Sequence, residues 1–248
     1  MSISKRVDAH SKSQVEAKQG SWFGRYLGSM VYGGLDGIIT TFAVVSGVAG
    51  AQLGASVILI LGIGNLLADG FSMATGDYLS TKSEREYYDR EVRRQAGEID
   101  QFPDGQKADL HALYTQHRYN DNEADQMVRL ETRTKERWVN AMMIEELGLI
   151  KEDTNPIYNA FVTFVAFVLL GSLPLLIYLL GFVIPVTPNT AFTISIVLSA
   201  IALFGLGAAK VYVTRLNPLR SGLEMLLVGS FAALIAYVIG ALLKNIAA

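Results

Sequence analysis

Two aspartates stand in otherwise uncharged, strongly apolar stretches. Asp36 lies in Gly33-Gly-Leu-Asp-Gly-Ile-Ile-Thr40, and Asp69 in Asn65-Leu-Leu-Ala-Asp-Gly-Phe-Ser-Met73. An ionisable residue deep in a membrane span costs at least about 2.5 kcal/mol, so each marks a functional position by default. Asn65, Asp69, Met73 and Asp77 recur every four residues and share one helix face. Thr40 lies one turn from Asp36 and can add a hydroxyl. Carboxylate, amide, hydroxyl and thioether together suit a borderline divalent ion such as Fe²⁺ or Mn²⁺. Calcium would demand more oxygens and no sulfur. A proton competes with such a metal, because a carboxylate ligand must be deprotonated to bind it.

Each residue also has a plainer reading. Asp36, flanked by Gly34 and Gly37, fits the cap of a helix break. Asp69 fits a structural hydrogen-bond partner, and Met73 alone fits core filler. Asp77 falls near the end of its span, where a carboxylate costs little, and Glu224 suits the N-terminus of the last span.

A second set of donors lies in a charged segment. Glu91, Gln95 and Glu98 share a helix face; Gln106 and Asp109 do so at i, i+3; Met142 and Glu146 are one turn apart, beside Met143 and Glu145. Converging helices with carboxylates at this spacing can build a metal site, as di-iron bundles do. The alternative is a solvated charged face. Of the histidines, His111 and His117 lack partners at ligand spacing in the sequence.

These residues require helices of two kinds. A bilayer core of about 30 Å needs roughly 20 apolar residues. Five stretches qualify: Tyr26 to Ala51, Ala55 to Leu79, Ile157 to Ile184, Ala191 to Val213 and Gly222 to Leu243. The first two form a hairpin turning near Leu53, which sets Asp36 and Asp69 at nearly the same depth. The organisation expected is a cytosolic N-terminal tail over 1–25, spans over 26–80, a cytosolic helical metal-binding insert over 81–156 and three further spans over 157–248. The fold class is an all-α membrane protein. Small residues at four-residue spacing, Gly24, Gly28, Ser29, Gly33 and Gly37 in the first span and Gly229, Ala233, Ala236 and Gly240 in the last, allow close packing within one chain or between two.

Charge is segregated accordingly. Only 18% of the 248 residues are charged, against about 25% for a typical soluble domain. The segment from Thr81 to Pro156 holds 12 Lys/Arg and 17 Asp/Glu, leaving 9 and 6 elsewhere. Loops Gln52–Gly54 and Pro185–Asn189 carry no charge, whereas the N-terminal tail, the insert and the Lys210–Arg220 connection are basic. Basic loops stay cytosolic, which puts the N-terminus inside and the C-terminus on the far side. No cleavable signal peptide is evident. The short tail leans towards a bacterial plasma membrane, with a eukaryotic vacuolar membrane as the other host. Within the insert, the helix of the second span should continue through Ser83 to Ile99. A turn at Phe102-Pro-Asp-Gly105 follows, then helices over Gln106–His117, from Asn120 or Asp121 to Arg133, and from Thr134 towards Gly148 as C′ residue.

Zero cysteines exclude disulfides, thiolate ligands and a cysteine nucleophile. No H-E-x-x-H, no G-x-S-x-G and no histidine within a span argue against an intramembrane hydrolase. A transporter of another cargo with a regulatory insert, or a scaffold anchoring the insert, are the competing classes. No prosthetic group and no nucleic-acid partner are expected; lipid, divalent metal and protons are.

The run from Val31 to Gly50, that from Gly64 to Ser80, the stretch Asn217-Pro-Leu-Arg-Ser-Gly-Leu-Glu-Met225 and the run Met142-Met-Ile-Glu-Glu-Leu-Gly148 resemble the vacuolar iron transporter family. The resemblance implies a five-helix homodimer that exchanges cytosolic Fe²⁺, often also Mn²⁺, for protons. It implies a path at the dimer interface using Asp36 and Met73, with a cytosolic domain collecting metal through glutamates and Met142, Met143 and Glu146. The sequence departs from the family's paired glutamates, aligning Gln95 with Glu98 and Gln106 with Asp109.

Overall fold

A computed structural model describes residues 22–152, 154–181, 183–211 and 217–244. Every regular element among them is helical: α1 (Trp22–Gly50), α2 (Ala55–Gln101), α3 (Pro103–Gln116), α4 (Asp121–Glu131), α5 (Lys135–Glu145), α6 (Pro156–Gly171), a 3-10 turn (Leu173–Leu175), α7 (Leu176–Leu180), α8 (Pro188–Ala209) and α9 (Pro218–Leu243). Five segments among the described residues are long and apolar enough to cross a membrane: α1, the apolar part of α2, α6 to α7, α8 and α9. The protein is an all-α membrane protein with a helical insert after its second span. Expected tail residues 1–21 lie outside the described residues, and residues 22–25 form the first turn of α1.

The described chain divides into two compact units. One takes the residues up to Tyr78 and those from Thr154 onward; the other is Leu79–Asp153. In the first unit α6, α8 and α9 start by one device. Asn155, Thr187 and Asn217 each accept a backbone N–H with their side-chain oxygen, and Pro156, Pro188 and Pro218 follow. Proline has no N–H to lose at this position and its fixed φ suits the first helical residue. These helices therefore begin one to four residues earlier than the apolar runs suggest. Glu224 consequently lies in the second turn of α9, pairing with Arg220 at 3.2 Å, rather than at its N-terminus.

The third span is interrupted. Pro174 cannot donate a backbone hydrogen bond, and the helix passes through a 3-10 turn before resuming as α7. The Pro174 carbonyl oxygen accepts the Ser195 hydroxyl from α8 at 2.7 Å.

Glycines set the closest approaches in this unit. A Cβ on Gly33 would lie 2.5 Å from the Thr163 carbonyl oxygen, and one on Gly37 would meet that of Phe167, so α1 lies backbone to backbone on α6. Gly240 faces the Gly47 backbone and brings α9 onto α1 in the same way. These small-residue positions pack within the chain. The core adds Phe42, Val45, Ile58, Leu59, Leu175 and Ile177. Outward, α9 presents Leu227, Phe231, Leu234 and Leu242, which is the surface a lipid-facing helix needs.

The second unit packs around Ile99, Leu110, Tyr114, Trp138, Met142 and Met143. Its helix limits follow local chemistry. Only Phe102 interrupts the chain between α2 and α3, because Pro103 takes the first helical position; the wider turn expected over 102–105 is absent. Asn120 and Glu123 form a reciprocal capping box on α4, which ends at Glu131 rather than Arg133, and Thr134 caps α5. Gly148 has φ +64°, with Leu149 N–H bonded to Met143 O and Gly148 N–H to Ile144 O. The Gly148 bond is the five-to-one closure of an αL ending, the position at which glycine costs least. Arg118 and Gln52, with φ of 69° and 58°, end α3 and α1 as Schellman motifs: Tyr119 N–H bonds to Tyr114 O and Arg118 N–H to Thr115 O, as Leu53 N–H does to Val48 O and Gln52 N–H to Ala49 O.

Candidate functional site

Asp36 sits in the middle of α1, which runs through it without a break, so the residue caps no helix interruption. The flanking glycines are buried; Gly34 meets the Leu170 and Leu206 side chains and Gly37 the α6 backbone. Both helix neighbours thus fix the rotational setting of α1, leaving Asp36 half-buried. A four-residue turn over 51–54, with Gln52 at positive φ, reverses the chain into α2. The reversal brings Asp69 within electrostatic reach of Asp36. Among the described residues neither carboxylate has a hydrogen-bond or ion-pair partner. The arrangement concentrates negative charge in an apolar setting, where interactions between charges are strong.

Asn65, Asp69, Met73 and Asp77 all lie at the border between the buried and exposed faces of α2, while Leu66, Gly70 and Ala74 face inward. The Asn65 amide nitrogen is buried without an acceptor, in a groove it shares with Ala43, Gly47 and Gly64 between α1 and α2. Asp77 is not simply solvated: the fully buried Thr163 on α6 donates its hydroxyl to it at 2.5 Å. Nothing in the sequence singled out Thr163. Thr40 donates its hydroxyl hydrogen to the Asp36 carbonyl oxygen at 2.8 Å. Its oxygen lone pairs remain the only part of it that can ligate.

In the insert, the Gln95 amide nitrogen donates to Glu146 at 2.7 Å, and the Gln95 carbonyl oxygen is buried with no partner. Gln106 is half-buried with its carbonyl oxygen in the same condition. Met142 and Met143 are fully buried in the core. Glu98 is held instead by Arg94 at 2.7 Å, and Arg94 also binds Glu91 at 2.7 Å. The Arg94 hydrogen bond, helped by Arg90, holds the Glu91 carboxyl below the usual glutamate range although burial opposes the shift. Asp109 is exposed. No three His, Asp or Glu side chains gather into a metal-sized cluster among the described residues. The structure therefore joins Gln95 to Glu146 beside the two methionines, and leaves Glu98 and Asp109 outside that group. His117 pairs with Glu145 at 3.2 Å and His111 with Asp125 at 3.5 Å. Burial, and then the charges of Glu145 and Glu131, push the Tyr114 phenol up to about 12.

Comparison with known proteins joins these observations. A family model described as "VIT family" matches residues 27–241, the five spans and the insert together. The chain belongs to the VIT family. A vacuolar iron transporter of Toxoplasma gondii is 36% identical over 225 residues, covering 88% of this chain and 74% of the relative. That of Plasmodium falciparum is 33% identical over 88% of this chain and 82% of its own length. Vacuolar iron transporter 1 of Arabidopsis thaliana is 33% identical over 96% of this chain and 92% of the relative. This VIT chain thus matches named transporters, not enzymes, nearly end to end. All three carry names that place them in a vacuole, so the lean towards a bacterial plasma membrane finds no support among them.

Proposed function

We propose that the protein moves cytosolic divalent transition metal, Fe²⁺ and also Mn²⁺, across the membrane in exchange for protons. The observation that carries this reading is the pair Asp36 and Asp69: two carboxylates within electrostatic reach of each other, inside apolar spans, with no protein cation or hydrogen-bond donor among the described residues to satisfy them. Such a pair calls for positive charge from outside the protein, either a proton or a metal ion. Metal arriving from the cytosol displaces the proton; a proton arriving from the far side displaces the metal. Alternating exposure of the pair then gives antiport.

Roles follow from chemistry. Asp36 is the shared proton and metal ligand, Asp69 adds charge, and Met73 contributes a thioether that favours a transition metal over calcium. Thr40 can lend a lone pair. The basic N-terminal tail and Lys210–Arg220 connection support a cytosolic N-terminus and a cytosolic insert. The insert collects metal at Gln95, Glu146, Met142 and Met143. There the buried carbonyl oxygen of Gln95 lacks a donor, as an oxygen awaiting a cation would. Glu98, Asp109 and Gln106 serve a weaker, outer role, since Arg94 already neutralises Glu98. Two copies form the working unit. Transported metal is substrate, and no prosthetic group is needed for the exchange.

The test is metal flux in proteoliposomes with Fe²⁺, Mn²⁺, Co²⁺ and Ca²⁺ competing across an imposed proton gradient. The reading expects Fe²⁺ and Mn²⁺ to enter the acidic lumen and to alkalinise it as they enter. Flux that ignores the gradient, or cargo other than these ions, sinks it.

A further inference from the structure

A cavity of about 640 Å³ lies in the first unit where the α1–α2 turn meets α7, the start of α8 and α9. Its walls are the ends of spans, which is the level at which hydrocarbon gives way to headgroups. The inner wall is apolar, with Ile58, Leu59, Ile177 and Ala191. Deep in it, Tyr178 is only 5% exposed, yet its hydroxyl has no hydrogen-bond partner. A buried hydroxyl without a partner costs roughly 1–3 kcal/mol, so an acceptor in the cavity would relieve it. Gln52 and Asn189 add amides to the lining, and Lys244 donates to the Gln52 carbonyl oxygen at the cavity's edge.

No acid is among the lining residues, which removes a metal ion as occupant, since nothing there could neutralise one. The volume also far exceeds an ion and falls in the range of organic ligands. Tyr237, stacked on Phe192 at 5.9 Å between ring centroids, forms the outer wall. On the same helix Leu234, Val238 and Leu242 are exposed, so the cavity continues into the apolar surface that faces lipid. Apolar wall, buried hydroxyl, lining amides and one ammonium bonded to Gln52 match the acyl chain, ester, glycerol and phosphate of a phospholipid.

We propose that this cavity binds one anionic phospholipid per chain, with the Tyr178 hydroxyl donating to an ester carbonyl oxygen and Lys244 pairing with the phosphate. The site is separate from the Asp36–Asp69 pair and does not rest on the transport reading.

The experiment is native mass spectrometry of the full chain reconstituted in phosphatidylcholine, then titrated with phosphatidylglycerol of the same chain length. Wild type should retain phosphatidylglycerol in preference to phosphatidylcholine. Lys244→Gln should reduce that preference about fivefold, the effect of one basic side chain near an anionic lipid. Tyr178→Phe, which keeps the ring and the fold, should weaken retention of both lipids about fivefold through the lost hydrogen bond. Equal retention of the two lipids by wild type, or unchanged retention in both variants, overturns the proposal. Displacement of the bound species by millimolar inorganic phosphate also overturns it, because the site would then be one for a free anion.

Discussion

Gln95 on α2 and Glu146 after α5 are joined side chain to side chain at 2.7 Å across 51 residues of sequence. The amide N–H stabilises by hydrogen bonding a carboxylate that a metal would stabilise by charge. Gln95→Glu should therefore have opposite effects in two conditions. Without metal, two like charges replace a hydrogen bond at a fully buried position and the melting temperature should fall, by an amount corresponding to about 1–3 kcal/mol. With saturating Mn²⁺ the variant should gain more stability than wild type does. Thermal unfolding with and without metal checks both signs; equal metal-induced shifts in the two proteins would remove Gln95 and Glu146 from the collecting site.

Glu91 gives the insert a defined acid sensitivity. Its carboxyl is held below the ordinary glutamate range by Arg94, with Arg90 assisting. A carboxyl with a lowered folded value contributes its full stability above its unfolded pKa of about 4.3 and loses it as pH falls through the folded value. Wild type should lose stability through that acid window, and Glu91→Gln should start less stable at neutral pH and change less on acidification. A parallel pH dependence in the two proteins, measured by circular dichroism melts, would contradict the assignment.

Two glycines should respond to alanine with opposite signs. At Gly33 the new Cβ would press on the α6 backbone at Thr163, where relief requires moving a helix, so about 1–3 kcal/mol should be lost. At Gly97 nothing lies within 4 Å, and alanine should gain up to about 1 kcal/mol from helix propensity. Melting temperatures of the two variants against wild type decide this.

The spans and the charged insert were legible in the sequence because length, hydropathy and charge segregation act locally. The four-residue stripe on α2 was legible for the same reason. Caps at Asn120 and Thr134 and the ending at Gly148 followed from side-chain chemistry within a few residues. What depended on distant contacts was hidden. The break at Pro174 draws on a hydroxyl from Ser195, 21 residues away. Thr163 reaches Asp77 across 86 residues. Spacing put Glu98 on one face with Glu91 and Gln95, and only the side-chain geometry shows its ion pair with Arg94. Apolar periodicity also set span starts too late, because proline after a capping residue begins a helix before the first hydrophobic turn.

Asp36→Asn tests the central claim most directly, because the amide keeps the size of the side chain while removing the charge for which proton and metal compete. Purified wild type and variant, matched for assembly by size-exclusion elution, would be placed in vesicles with an acidic lumen and external Fe²⁺. Metal entry and lumenal pH would be followed together. The account predicts coupled metal entry and alkalinisation for wild type, and loss of both in the variant to at most about a hundredth of the wild-type rate, the scale of a lost charged ligand of about 3 kcal/mol. Metal entry at the wild-type rate by the variant, still coupled to protons, would contradict it.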